Sequence, residues 1–550
     1  MSGRYRSNDS VHWYVNDLAS RVIAKSGIPS DRFHLGKLIL QSFQDDPDFV
    51  LQIDGATDES ETCKSLLKRS IQCAIALRNF GLKRGDVIVL MAPNHLDVSV
   101  PYYAALFLGV IVAAVDRKLR VNELQNNFTI NEPKVVFCQR DKASDVQLVL
   151  NKLNLDALIV TFDKGDHVCH YAEFLQNYGD DSAIDQFKPA DFDPEETIAF
   201  LISTSGTTGL PKAAAITHKN IAISNPYVWV TSYKFPTPTR MALIGSPLQW
   251  MTAVITFVMS SLFRYTRLQS SDDLTREHAY HLINKYRPTH TIFSPTFLTT
   301  LLNPSVRNQC DFSCFELVYL GGSPVPRELV DEFKLVAPRC VAVNLFGMSE
   351  ITSVGFMPDN SPIQSTGKPL GCLQYRLVDI DTQEDIHKPN MPGELWVKGP
   401  GIFKEYYKNP EATAEAFAEG RWFKTGDLFY RDENWNYYYV ERIKLLLKYK
   451  SHQISPIELE TVIRSHSSVL DVVVTGIPDR ECGDLPVACV VKRPGHKVTA
   501  EEIKILVKDS LTDSKQLRGG VIFLEQLPMT TTTKVHRRKI KELAILMDRE

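Results

Sequence analysis

Apolar residues recur along this chain in two alternating rhythms. Up to about Gln186, helical patterns over Glu61–Asn79 and Leu96–Leu108 alternate with short β-branched runs at Asp86–Met91, Lys134–Cys138 and Leu158–Phe162. Such alternation predicts a parallel α/β sheet. A second α/β stretch follows, with strands expected at Thr197–Ile202, Met241–Gly245, His290–Phe293 and Leu317–Leu320. From Leu370 to Trp396 the pattern changes to that of a small antiparallel β unit. Beyond Arg442 a compact α+β segment is expected, with helices from Pro456 and Ala500 and strands near Val469–Gly476, Ala488–Lys492 and Val521–Leu524. The expected fold class is therefore α/β. A large N-terminal domain, residues 1–440, holds two α/β subdomains plus a β unit, and a small α+β domain spans 441–550. A chain of 550 residues exceeds what one hydrophobic core organises. No internal repeat or low-complexity segment interrupts the pattern.

One apolar run needs a decision. Val98–Val115 carries no charge over 18 residues, the lower limit for a membrane-spanning helix. Pro101, Gly109 and a β-branched second half instead predict a buried helix running into a core strand, so the expectation is a soluble protein. Net charge changes little: −3 overall, with 19 Lys and Arg against 15 Asp and Glu after residue 440. A balance this even argues against nucleic-acid or membrane partners, and no obligate protein partner is readable. Ten cysteines in so long a chain do not form a disulfide framework and are expected reduced. With no apolar leader at the N-terminus and ILMDRE at the C-terminus, where a peroxisomal SKL would stand, the expected location is cytoplasmic or peroxisomal.

The candidate chemistry begins at TSGTTGLPKAA, Thr204–Ala214, directly after an expected strand. Glycines and hydroxyls packed before Pro-Lys expose backbone N–H groups and side-chain donors suited to a polyphosphate. The loop is not a Walker A motif, because Gly206 and Gly209 are wrongly spaced and Lys212 precedes alanine.

SGTTGLPK resembles the phosphate loop of the adenylate-forming superfamily, which includes acyl-CoA synthetases, 4-coumarate–CoA ligases and beetle luciferases. Further segments follow in that family's order: LGGSPVP (Leu320–Pro326), NLFGMSE (Asn344–Glu350), GELWVKGPGIFKEYYKNPEAT (Gly393–Thr413), WFKTGD (Trp422–Asp427), ERIKLLLKYKSHQISPIELE (Glu441–Glu460) and TTTKVHRRKIK (Thr531–Lys541). YKNPEAT and KYKSHQISPIELE are most similar to the insect luciferase-like acyl-CoA ligases.

The resemblance implies ATP and Mg²⁺, with coenzyme A as co-substrate and a small carboxylic acid as the partner. A carboxylate oxygen attacks the α-phosphorus and pyrophosphate leaves; the acyl group then passes to the thiol. It assigns the triphosphate to Thr204, Ser205, Gly206, Thr207, Thr208, Gly209 and Lys212, and the nucleotide to Gly322, Ser323, Asn344, Phe346 and Gly347. Glu350 is the magnesium-linked acid, as suits a hard cation, and Ser349 keeps the hydroxyl of the usual threonine. Asp427 takes the ribose hydroxyls with Arg442 on the same side. Lys534 is the mobile lysine of adenylation. Lys444 marks the hinge of a mobile C-terminal lid, and Lys448 and Gln453 lie on the face presented after it turns. Trp250 stands at an aromatic gate beside the acyl pocket; a core tryptophan is the alternative, as an exposed lysine is for Lys448. His536–Lys539 reads as a solvated helix, with contact to the phosphates of coenzyme A as the alternative. Ser451 and Thr533 replace two glycines of the pattern, which puts the thiol step in doubt. Two rivals remain: oxidation of the adenylate as in luciferases, and a non-catalytic nucleotide- or lipid-binding relative.

Overall fold

Strands covered on both faces need uninterrupted apolar runs, whereas half-exposed strands alternate. Val87–Met91, Ile111–Ala114 and Val135–Cys138 are buried at every position and pair in parallel, as that rule requires. The computed structural model describes residues 3–164, 168–204, 212–229, 240–357, 361–449, 452–479, 482–529 and 534–550. Its chain packs as two units. The larger comprises Met1–Ile363, Lys368–Gln374 and Lys398–Phe423; the smaller comprises Gln364–Gly367, Tyr375–Val397 and Lys424–Glu550.

The larger unit contains two sheets. One has eight strands in the order Glu405–Tyr406, Lys212–Thr217, Ile198–Thr204, Ile111–Ala114, Val87–Met91, Val135–Cys138, Leu158–Thr161 and Cys169–His170. The other has seven, in the order Val341–Leu345, Leu317–Gly321, His290–Phe293, Met241–Leu243, Thr266–Gln269, Val50–Asp54 and Ser60–Thr62. This corrects the expectation that the sheets follow one another along the chain. Val50–Asp54 leaves the first stretch to pair with Thr266–Gln269, Gln52 facing Arg267. Ile198–Thr204, assigned to the second stretch, instead pairs with Ile111–Ala114. Hydrophobic pattern reports that a strand is buried, not which edge it joins.

Val98–Val115 resolves into the wholly buried helix Ser99–Leu108 and the strand Ile111–Ala114. Among the described residues no helix is long and apolar enough to cross a membrane. The N-terminal helix Gly3–Ser26 was not anticipated; over its described side chains the buried residues are Val11, Leu18, Ala19 and Val22, too sparse to announce it. Arg267 lies wholly inside the larger unit, against the Phe257 ring at 4.0 Å, and donates to Gln52 Oε1 at 2.7 Å.

In the smaller unit, the strands Gln374–Val378, Gly393–Lys398, Trp422–Arg431 and Tyr437–Arg442 form one sheet. A second sheet orders His452–Ile454, Leu447–Tyr449, Gly483–Lys492 and Val469–Asp479, with Gly520–Leu524 parallel to Gly483–Lys492. Helices Pro456–Arg464 and Ala500–Ser510 bury Leu459, Ile463, Ile503 and Val507 with its strands. Thr499 and Glu502 close a capping box at the start of the second helix.

Candidate active site

In parallel α/β sheets, ligands gather at the carboxyl ends of the strands, where loops are free to vary. Leu317–Gly321 and Val341–Leu345 are neighbours with Gly321 facing Leu345, so the turn after one and the loop after the other emerge side by side. That juxtaposition brings together Gly322 and Ser323, both exposed, with Asn344, Phe346 and Gly347. Gly322 has φ +88°, a conformation side chains resist. A Cβ on Gly347 would lie 2.9 Å from the Ser353 carbonyl oxygen, because Gly347–Met348 turns back onto Ser353–Val354. Phe346 packs 6.0 Å from Phe356, and its carbonyl accepts from the Gly355 N–H.

The same reversal carries Ser349 and Glu350 on the short turn Ser349–Ile351. Thr352, buried and at φ +56°, ends the turn and donates to the Gly401 carbonyl at 2.6 Å, which ties the turn to the chain entering Glu405–Tyr406. Glu350 is only 6% exposed, and its Oε1 accepts from the Tyr406 hydroxyl at 2.8 Å. Tyr406 is held on the sheet edge opposite Ala214, two residues beyond Lys212. The Lys212 ammonium lies 5.0 Å from the Tyr406 ring centroid, within cation–π reach. Lysine, tyrosine ring, hydroxyl and carboxylate thus form one connected assembly. Tyr406 escaped the sequence reading, although it lies in the quoted EYYKNPEAT segment; nothing in that segment separates it from Tyr407.

Thr204 and Lys212 face each other at the mouth of an antiparallel pair, with Thr204 Oγ1 donating to the Lys212 carbonyl at 3.3 Å. Ser205, Gly206, Thr207, Thr208 and Gly209 lie outside the described residues. Among the described residues no group of three or more His, Cys, Asp or Glu could hold a metal by protein ligands alone. One buried carboxylate, joined through Tyr406 to Lys212, would fit a Mg²⁺ that takes its other ligands from phosphate oxygens and water.

In the smaller unit, Asp427 and Arg442 are register partners on antiparallel strands. Arg442 Nε donates to Asp427 Oδ1 at 3.0 Å, while Asp427 is 2% exposed. Burial pushes the Asp427 carboxyl above its ordinary range; Arg442 and Lys534 pull against that shift. Lys534 itself is exposed. The three residues expected around the ribose and the reacting carboxylate are thus gathered within one unit. Lys444 is exposed on the turn Ile443–Leu445. Lys448 and Gln453 are register partners across the strands Leu447–Tyr449 and His452–Ile454. Ser451 and Thr533 lie outside the described residues. Arg537 departs from the expected solvated helix: it turns inward to pair with Glu460 at 3.2 Å. Trp250, half-buried, begins the helix Met251–Phe263, its carbonyl accepting from the Ala253 N–H.

The chain is similar to known proteins over most of its length. The family model described as AMP-binding enzyme matches residues 40–407, and that of the AMP-binding enzyme C-terminal domain matches 458–534. A luciferin 4-monooxygenase from Nipponoluciola cruciata is 31% identical over 502 residues, covering 87% of this chain and 88% of that protein. The peroxisomal OPC-8:0-CoA ligase 1 of Arabidopsis thaliana is 26% identical over 498 residues, 90% of each. The crystal structure of ATP-bound MatB from Rhodopseudomonas palustris shares the fold with a TM-score of 0.82, at 23% identity, over 92% of this chain and 98% of that one.

Proposed function

The chain belongs to the AMP-binding enzymes of the adenylate-forming superfamily, and from that premise we propose that it is an ATP-dependent acid–thiol ligase acting on a hydrophobic fatty or aryl acid. The observation that carries this reading is the Lys212–Tyr406–Glu350 assembly, which puts a phosphate-loop cation and a buried acid into one connected group. The substrate carboxylate oxygen attacks the α-phosphorus of ATP, the bond to the bridging oxygen breaks, and pyrophosphate leaves with the electron pair. Negative charge gathers on the phosphate oxygens in that transition state, so fixed positive groups dominate the catalysis. Lys212 and the loop before it hold the β- and γ-phosphates. Glu350 would hold a Mg²⁺ together with phosphate oxygens, and the ion would supply neutralisation of phosphate charge. Asp427 accepts from the ribose hydroxyls, and Lys534 bridges the nucleotide and the acid. Gly322, Ser323, Asn344, Phe346 and Gly347 surround the base, and Trp250 borders the acyl group.

In the second half-reaction the coenzyme A sulfur attacks the acyl carbon and AMP leaves. The proposal takes residues 1–440 as the adenylation domain and 441–550 as a lid that turns at Lys444 to bring Lys448 and Gln453 into play. A second reading, oxidation of the adenylate with light emission, draws on the 31% identity to a luciferin 4-monooxygenase. One experiment separates the possibilities. Acid-dependent exchange of labelled pyrophosphate into ATP is measured across fatty and aryl acids, then AMP and thioester formation with and without coenzyme A. Exchange with thioester product supports the ligase. Exchange without thioester, but with light on added luciferin, supports the second reading. Folded protein that exchanges with no acid is a non-catalytic relative.

A further inference from the structure

Glu441 has no role in the chemistry above, yet it is fully buried at the end of the strand Tyr437–Arg442. Its two carboxylate oxygens are divided between two elements. One accepts from the Arg442 N–H at 2.9 Å, in its own strand. The other accepts from the Ile457 N–H at 3.2 Å, in the first turn of the helix Pro456–Arg464. The first N–H groups of a helix have no partner within it, and Ser455, at the N-cap, makes no side-chain capping bond. Its hydroxyl instead donates back to the Val440 carbonyl at 3.4 Å. Strand and helix are therefore joined reciprocally, each supplying what the other lacks. Glu460 of the helix and Arg537 of Arg537–Leu546 close the surroundings of Glu441, with Tyr439 and Arg442 from its own strand.

The turn Ile443–Leu445, with Lys444 exposed, lies between the two elements in the chain. A change of backbone torsion at Lys444 leaves Glu441 and Arg442 on one side and carries Ile457 away on the other. The Glu441–Arg442 bond survives such a turn, whereas the Glu441–Ile457 bond does not. We propose that Glu441 is the positioning residue that ties the C-terminal helix to the strand bearing Arg442, holding the arrangement used for adenylation and releasing it for thiol transfer. This rests on the two-step ligase reading.

The test uses the full-length chain. In Glu441→Gln the amide group presents a donor to one of the two N–H groups, so one bond is lost. Amide exchange in the first turn of Pro456–Arg464 should quicken by about tenfold, the scale of one hydrogen bond to a charged group. Exchange in Val87–Met91 should not change. Acid-dependent pyrophosphate exchange should fall by roughly the same factor, while supplied acyl-AMP reacts with coenzyme A at an undiminished or higher rate. Adding Ser455→Asp gives the helix a cap of its own. Amide protection should then return while the partition between half-reactions stays shifted. If Ser455→Asp restores the partition as well, Glu441 is only a helix cap and the proposal is wrong. Equal loss in both half-reactions, or no change in exchange at Ile457, also overturns it. Should Glu441→Gln not fold, Glu441→Asp is carried through the same measurements, with the shortened carboxylate expected to give a smaller shift in the same direction. Should no acid support pyrophosphate exchange at all, the ligase reading fails on that result, and the amide-exchange arm still decides whether the tie exists.

Discussion

Two buried acids of this protein are held by different chemistry. Asp427, in the smaller unit, faces the Arg442 guanidinium at 3.0 Å. Glu350, in the larger, accepts a tyrosine hydroxyl, with the lysine ammonium placed over the ring of that tyrosine. A carboxylate bonded to a guanidinium is charge-matched and fixed in direction, which suits an acceptor for sugar hydroxyls. One that accepts from a neutral hydroxyl is oriented without a bonded guanidinium, the setting proposed here for a metal ligand. The difference is what supports proposing different work for the two acids.

The comparison breaks most sharply at Glu350. Glu350→Gln keeps shape and the tyrosine contact but removes the charge, and pyrophosphate exchange should fall by about 10²–10³-fold, the scale for one preorganised electrostatic group. A loss under tenfold with unchanged Mg²⁺ dependence would move the metal elsewhere. Arg442→Ala comes next. It removes the bonded one of the two cations that act on buried Asp427 and leaves Lys534, so the Asp427 carboxyl rises further above its ordinary range. On the proposed reading the ionised Asp427 carboxylate is the better acceptor for the ribose hydroxyls, so the acid limb of the pH profile of kcat/KM for ATP should move to higher pH; an unmoved limb would separate Asp427 from the nucleotide.

A smaller change is expected for Tyr406→Phe, which keeps the ring beneath Lys212 and removes only the hydroxyl on Glu350. One hydrogen bond to a charged group suggests about tenfold or somewhat more, appearing as weaker Mg²⁺ dependence of ATP binding while thioester formation from supplied acyl-AMP is unaffected. Equal loss in both half-reactions would make Tyr406 merely structural.

The smallest net effect is one of stability, because the two units oppose each other. Burial lowers the pKa of His34 in the larger unit to about 4, and that of the buried His218 beside it well below the usual value. The unfolded chain binds those protons first, so their stabilisation is present above about 6.5 and is lost as pH falls towards 4, on the order of 3 kcal/mol for His34. Burial raises Glu441 in the smaller unit to about 7, against the pull of Arg537. Its contribution is present below about 4.5 and lost as pH rises through 7. Acidification from pH 7.5 to 5 should thus speed amide exchange, corrected for intrinsic rates, in Leu35–Asp45 and slow it in the strand Val469–Asp479 of the smaller unit, away from the first-turn amides that Glu441 caps. Shifts of the same sign in both would defeat this account.

Much of this protein was determined by the sequence alone. Continuous apolar runs marked the buried parallel strands Val87–Met91 and Val135–Cys138 to within a residue, because burial on both faces leaves no polar position to confuse the pattern. Pro456 and Ala500 were readable as helix starts, since proline suits the first turn and the threonine before Ala500 has a glutamate three residues on. The phosphate loop, Glu350, Asp427, Arg442 and Lys534 were legible as candidates because their chemistry lies in short contiguous segments. What the sequence did not determine is partnership across distance. Nothing local says that Val50–Asp54 crosses to Thr266–Gln269, that Tyr406 rather than Tyr407 meets Glu350, or that Arg537 turns inward to Glu460. Those choices depend on which edges and polar groups remain unsatisfied once the sheets have formed. Only the tertiary structure decides them, because the free energy of a buried hydrogen bond or ion pair belongs to both partners and is written in neither segment.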